Sequence, residues 1–161
     1  MIMQWDAASA EEAANLATLD EDGFAEWMER YEDRRSFDVD KAWHAVHFTL
    51  TGREDEVPGP LGDVTFGGRP FGHEFGYDRP RYLAPDQVAA CAAALGALGP
   101  DDVRARIDLG ELHRRGIYPA IWDRDPEAEQ LFEFVVDGFE VLRAEFAAAA
   151  ADGSGLVVSL L

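Results

Sequence analysis

A line of polar side chains between residues 38 and 52 is the clearest candidate for chemistry in this chain. Its members are spaced four, three and four residues apart, so on a helix they share one side: Asp40, His44, His47 and Thr51. A histidine set in an apolar wall can have a shifted pKa and act as an acid or a base. The alternative is structural, because buried polar groups are usually hydrogen-bonded and nothing more. Asp40 then caps the helix or pairs with His44, and His47 is a core histidine.

The same histidines raise the question of a metal. His44 and His47, three residues apart on a helix, can point two imidazoles at one ion, but a transition-metal site needs more ligands. His73 and Glu74 are the additional candidates. No spacing rule relates their segment to the helix, so we expect neither a metal nor another cofactor.

The element that must position the polar line is a predicted central helix over residues 39–51. Asp38 is a suitable N-cap, and Gly52 suits the left-handed position after the last turn. An apolar stripe at helical spacing predicts a buried face, formed by Val39, Trp43, Val46, His47 and Leu50.

Glycines and aromatic residues alternate with arginines between residues 62 and 82, which predicts a long irregular loop. Its arginines, Arg69, Arg79 and Arg81, could hold an anionic group against the central helix. The residues that would line such a pocket are Asp40, Lys41, Trp43, His47, Thr51, Tyr77, Arg81 and Tyr82. The alternative is an Ω-like loop that packs over the core and binds nothing.

The rest of the chain predicts a single, helix-rich α+β domain over residues 1–161. Apolar runs at 1–5 and 156–161 indicate two terminal strands, which we expect to be neighbours in one small sheet. Capped helices separate them. Ser9 begins a capping box, and the Asp125-Pro126 pair opens the longest predicted helix, with Leu131, Val135, Phe139, Leu142 and Phe146 on its core stripe.

Composition narrows the function classes. Acidic residues outnumber basic ones by 32 to 14, a formal net charge of −18. Such a field repels nucleic acid and anionic membranes and attracts a basic protein partner. Cys91, the single cysteine, permits no intrachain disulfide. Neither a signal peptide nor an apolar run long enough to span a bilayer is evident, so we expect a cytoplasmic protein.

Several motifs resemble those of the YfbM-like family of bacterial proteins, a domain of unknown function. The longest is Asp38-x-Asp40-Lys41-x-Trp43-x-x-Val46-His47-Phe48-x-Leu50-Thr51-Gly52, and the others are Gly67-Gly68, Gly76-Tyr77, Arg81-Tyr82-Leu83 and Ile117-Tyr118-Pro119. The resemblance covers essentially the whole chain and implies one α+β domain in the bacterial cytoplasm. It implies no activity. His44 falls outside the motif, which weakens the metal hypothesis and favours His47.

Two hypotheses for the function follow. The first is a non-catalytic interaction or regulatory module, because nucleophile elbows, paired cysteines and phosphate-binding loops are missing. The second is a small-molecule binder or enzyme with a pocket between the central helix and the 62–82 loop. Arginines would hold an anion there, and His47 would act as acid or base.

Overall fold

The structure, a computed structural model, describes residues 1–124 and 127–161. The predicted helix start at Asp125-Pro126 lies outside the described residues.

A five-stranded antiparallel sheet forms the middle of the molecule, in the order β2-β1-β5-β4-β3. The strands are β1 (Met3–Ala8), β2 (Ser36–Asp38), β3 (Arg69–Pro70), β4 (Arg81–Leu83) and β5 (Gly155–Leu160). The two terminal strands pair along their whole length, from Met3 opposite Leu160 to Ala8 opposite Gly155. The prediction of adjacent terminal strands is therefore confirmed.

Eight α-helices surround the sheet in the described residues and make the α+β fold helix-rich, as predicted. They are α1 (Ala10–Leu16), α2 (Glu21–Glu29), α3 (Trp43–Thr51), α4 (Pro60–Phe66), α5 (Pro85–Gly96), α6 (Pro100–Arg104), α7 (Leu109–Arg114) and α8 (Ala128–Asp152). Within the part of the chain that the structure describes, no helix is both long and apolar enough to cross a bilayer.

The two faces of the sheet carry different layers of helix, because side chains alternate between faces along a strand. Trp5, Leu83 and Val158 point into the main core, where α3, α5 and α8 pack. On the other face, Ala8 and Val157 pack against a smaller layer from α1 and α2. We call these the main face and the α1/α2 face.

The central helix is shorter than predicted. Asp38 does not cap it, because that residue ends β2 and pairs in the sheet with Gln4. Its carboxylate accepts the backbone N–H of Asp40 at 2.7 Å, and Asp40 has a positive φ of 49°. A 3₁₀ turn over Asp40–Ala42 follows, so the regular helix begins at Trp43. The predicted apolar stripe is correct, and Val39, Trp43, Val46, His47 and Leu50 are all buried.

The 62–82 segment is less irregular than predicted. Helix α4 overlaps its beginning, with Pro60 in its first turn, and β3 and β4 flank a shorter loop. The helix was not predicted because Pro60 and Gly62 are residues typical of a loop. Gly62 is required there because a Cβ would collide with the carbonyl group of Val57.

The long helix α8 packs closely on α3 and the turn before it. At Gly138 a Cβ would lie 2.9 Å from Ala42 Cβ and 3.3 Å from Val46 Cγ2. The predicted core positions on α8 are buried, including Val135, Phe139 and Leu142. This contact holds the N-terminal half of α3, and with it the two histidines, in place.

Candidate functional site

Helix α3 presents its two histidines to the loop that follows it. Gly52 ends the helix with a left-handed φ of 71°. The Nε2 atom of His44 lies 2.9 Å from the carbonyl oxygen of Glu54, and the Nε2 atom of His47 lies 3.0 Å from that of Asp55. Because a carbonyl oxygen can only accept, both Nε2 atoms carry the proton and donate it. We call this arrangement the histidine clamp.

His44 is bonded at both ring nitrogens. Its Nδ1 accepts the backbone N–H of Tyr118 at 3.1 Å, and its ring stacks on Trp43 with the centroids 4.9 Å apart. An Nδ1 that accepts a hydrogen bond carries no proton, so this imidazole is neutral. Burial lowers the pKa of His44, which favours the same neutral form.

His47 is fully buried, with its ring edge-on to Phe66 and the two centroids 4.7 Å apart. Burial lowers the pKa of His47, although its hydrogen bond to the Asp55 carbonyl opposes that shift. Among the described residues, no group bonds its Nδ1. Its N–H is engaged by the main chain, which is the environment of a core histidine.

The other predicted helix residues support or flank this clamp. Thr51 donates its hydroxyl to the His47 carbonyl oxygen at 2.8 Å and accepts the backbone N–H of Arg53 at 3.1 Å. Asp40 and Lys41 are exposed on the 3₁₀ turn before α3. The polar line therefore begins in solvent at Asp40 and reaches the core at His47, and neither Asp40 nor Lys41 hydrogen-bonds an imidazole.

The predicted residues of the 62–82 segment divide between the two faces of the sheet. Arg81 is on the main face, where its Nη1 donates to the Phe66 carbonyl oxygen at 3.0 Å. The cavity beside it has a volume of about 20 Å³, enough for roughly one water molecule. Tyr82, the next residue of β4, points to the α1/α2 face, and Tyr77 is exposed on the hairpin before the strand. The eight predicted residues thus do not line one pocket.

The four candidate metal ligands are also separated. His73 and Glu74 line a crevice with Leu16 and Phe24 on the α1/α2 face, whereas the histidine clamp is on the main face. Within residues 1–124 and 127–161, no group of three or more metal-ligating side chains comes together.

Sequence reasoning missed a buried ion pair on the α1/α2 face. Arg34 Nε donates to Asp6 Oδ1 at 3.0 Å, and its guanidinium lies 3.6 Å from the ring centroid of Trp27. Gln4 donates its side-chain N–H groups to Asp6 Oδ2 and to Ser36 Oγ, each at 3.1 Å. Burial raises the pKa of Asp6, against the lowering effect of these polar partners. No local pattern joins Asp6 to an arginine 28 residues away.

Beside this ion pair is an apolar groove, the β1–β5 groove, with a volume of about 310 Å³. It is lined by Gln4, Ala25, Met28, Glu29, Tyr31, Phe75 and Leu161. Residues of α2 form one side of the groove, and Leu161, which pairs with Ile2 through two backbone hydrogen bonds, lies on the sheet side. One feature of the sequence indicates this groove. Tyr31 continues the apolar stripe of α2 but lies beyond the helix end, 54% exposed.

Comparison with known proteins places the chain in a family. The model of the family described as a domain of unknown function (DUF1877) matches residues 1–159. This chain belongs to that family. The DUF1877 chain is similar in structure to YfbM from Escherichia coli, a protein of unknown function whose crystal structure is solved. The TM-score is 0.75, the sequence identity is 20%, and 100% of each chain is covered. At that identity the likeness shows a shared fold. No curated protein matches the sequence.

Proposed function

We propose that this DUF1877 protein is a non-catalytic interaction module. Its partner would be a protein with a basic, amphipathic segment that docks in the β1–β5 groove. The observation that carries the proposal is where the exposed apolar side chains lie. Of the five large exposed ones in the described residues, Tyr31 lines this groove, Ile2 pairs with the lining residue Leu161, and Tyr77 lies on the turn whose backbone bonds Leu160 at the end of β5. Clustered apolar exposure is typical of a docking surface.

The charge around the groove supports a basic partner. Glu29 lines it, and in the chain around Glu29 the exposed charged residues include Glu26 and Glu32 as well as Arg30. Gln4 uses its amide nitrogen within the protein, so its oxygen is the atom left to accept a donor from a partner. With a net charge of −18, the whole molecule attracts a cationic segment.

The residues with catalytic potential support a non-catalytic role. The histidine clamp engages both Nε2–H groups with main-chain carbonyls. Burial raises the pKa of the Cys91 thiol to about 12, so it is a poor nucleophile at neutral pH. This free, buried thiol also supports a reducing, cytoplasmic location.

The proposal is tested by selecting peptides from a random displayed library against the wild-type protein and measuring their affinities by fluorescence polarisation. We expect the selected peptides to combine Lys or Arg with apolar residues and to bind less tightly as salt rises. Tyr31→Ser should lower the affinity of the selected peptides about tenfold, since an aromatic anchor contributes at least about 1.4 kcal/mol to the binding free energy.

Val141→Ser is the matched control, because Val141 is similarly exposed, at 40%, but lies on α8 away from the groove. It should leave the affinities unchanged. Selected peptides that are acidic, or that bind Tyr31→Ser as tightly as wild type, would contradict the proposal, as would a library that yields no binder.

A further inference from the structure

A second groove lies on the same face of the sheet, between α1 and the β3–β4 edge. Its volume is about 380 Å³, within the range of about 300–1,000 Å³ usual for small-molecule sites. It is lined by Ala10, Ala13, Ala14, Ala17, Arg69, Phe71 and Tyr82. We call it the α1–β3 groove. It shares no lining residue with the β1–β5 groove, and of the residues that the sequence suggested for an anion pocket it contains Tyr82 and Arg69, here on the α1/α2 face and away from the central helix.

The sheet side of this groove is a fixed wall. Arg69 and Tyr82 are directly opposite in the β3–β4 pair, so their side chains share one face. The Tyr82 hydroxyl donates to the Ala8 carbonyl oxygen at 3.3 Å. Its ring lies over Gly155, where a Cβ would be only 2.5 Å from Tyr82 Cζ. Glycine at that position therefore leaves room for the phenol.

The helix side is apolar and uncharged. Four alanines of α1 and its C-terminal cap face the groove, so no long charged side chain fills it. Together with the rings of Phe71 and Tyr82 they give the groove apolar walls on its helix side and its sheet side. Such walls suit a hydrocarbon chain, which is stabilised by about 0.8 kcal/mol for each CH₂ removed from water.

Arg69 gives the groove its charge. Nine other arginines have a carboxylate oxygen within 4.0 Å. Arg69 has no carboxylate oxygen within 4.0 Å among the described residues, although the chain has 32 acidic side chains. A guanidinium binds a carboxylate through two parallel N–H···O bonds. The groove thus offers an unused carboxylate-binding group beside an apolar slot.

We propose that the α1–β3 groove binds a small amphiphilic monocarboxylate, with its carboxylate on Arg69 and its hydrocarbon chain between the alanines and the aromatic rings. A single negative charge is favoured over a multiply charged anion such as phosphate. Glu12 is near enough to Tyr82 to contribute, after burial, to the raised pKa of that phenol, and the net charge of −18 repels additional negative charge.

The test is to titrate the full chain with acetate, hexanoate, octanoate and decanoate and to monitor binding through the chemical shifts of the backbone amides in NMR spectra. We expect shifts at residues 10–17, 69–71 and 82, and an affinity that rises by up to about fourfold per buried CH₂. Octanol, which keeps the chain but has no charge, should bind at least about tenfold more weakly than octanoate.

Two variants localise the site. Arg69→Gln should weaken octanoate about tenfold, whereas Arg106→Gln, which removes the same charge from an exposed arginine after α6, should not. Ala14→Phe should fill the groove and abolish binding, and Ala144→Phe on the exposed side of α8 should not. Binding that is equal for acetate and octanoate, or that survives both Arg69→Gln and Ala14→Phe, would overturn the proposal, and so would no binding at millimolar octanoate. None of these outcomes bears on the β1–β5 groove.

Discussion

At the scale of single residues, both histidines of the clamp donate Nε2–H to a main-chain carbonyl oxygen, but their Nδ1 atoms have different surroundings. His44 is bonded on both sides, so protonation would break its bond from Tyr118 N–H. The Nδ1 of His47 has no partner among residues 1–124 and 127–161, so it could take a proton without losing a bond, although a buried charge is costly. Both imidazoles should therefore resist protonation, for different reasons.

We predict that His47→Ala lowers the free energy of unfolding by about 3 kcal/mol at pH 7.5, through lost packing and an unpaired Asp55 carbonyl. Urea unfolding measures this. In an NMR titration, the pKa of each imidazole should lie below the ordinary histidine value of about 6.5, because burial lowers the pKa of His44 and of His47.

The sign of the pH dependence follows from the direction of those shifts. The pKa of His47 is lower in the folded state than in the unfolded state, so between the two values the unfolded state binds more protons. The stability that His47 contributes is therefore lost progressively as the pH falls below about 6.5. The difference between wild type and His47→Ala should consequently shrink from pH 7.5 to pH 5.5. A variant as stable as wild type, together with an imidazole pKa at or above 6.5, would show that His47 sits in an open site instead.

At the scale of elements, the approach of α8 to α3 depends on the missing side chain at Gly138. We predict that Gly138→Ala destabilises the protein by about 1 kcal/mol, because the crowding at Ala42 and Val46 exceeds the gain in helix propensity. Gly138→Val should cost more. Denaturant unfolding gives both values.

Gly96→Ala is the control for this prediction. Gly96 is also helical, at the end of α5, and a Cβ there would meet nothing within 4 Å. The same substitution should stabilise the protein there, by up to about 1 kcal/mol. If both Gly138→Ala and Gly96→Ala stabilise the protein, helix propensity rather than crowding determines the effect at Gly138.

Elements with a strong local signal could be predicted from the sequence, and others could not. Ser9 caps α1 as its spacing indicated, and Gly52 ends α3 in the left-handed conformation. The three-residue strand β2 was missed because it exists through its pairing with β1. In the same way, Arg69 and Tyr82 face each other across a strand pair whose register no local pattern specifies.

At the scale of the whole molecule, the acidic charge should dominate the response to salt. Exposed ion pairs such as Arg104–Glu129 contribute about 0–1 kcal/mol each and weaken as salt rises, but most carboxylates have no basic counterpart to pair with. We predict that the melting temperature rises by about 3–6 °C between low salt and about 0.5 M NaCl, as repulsion is screened. Calorimetry with NaCl and KCl in parallel checks this, and a melting temperature that falls with salt would show that the ion pairs dominate.

The pairing of the first strand with the last has a consequence for how the chain folds during synthesis. β1 is made before the other strands, yet its neighbours on either side are β2, three residues long, and β5, which is made after the other four strands. Until β5 emerges, Trp5 and the apolar side of α8 have no complete sheet to pack on. The nascent chain must therefore keep much of its core surface exposed until β5 is available to complete the sheet.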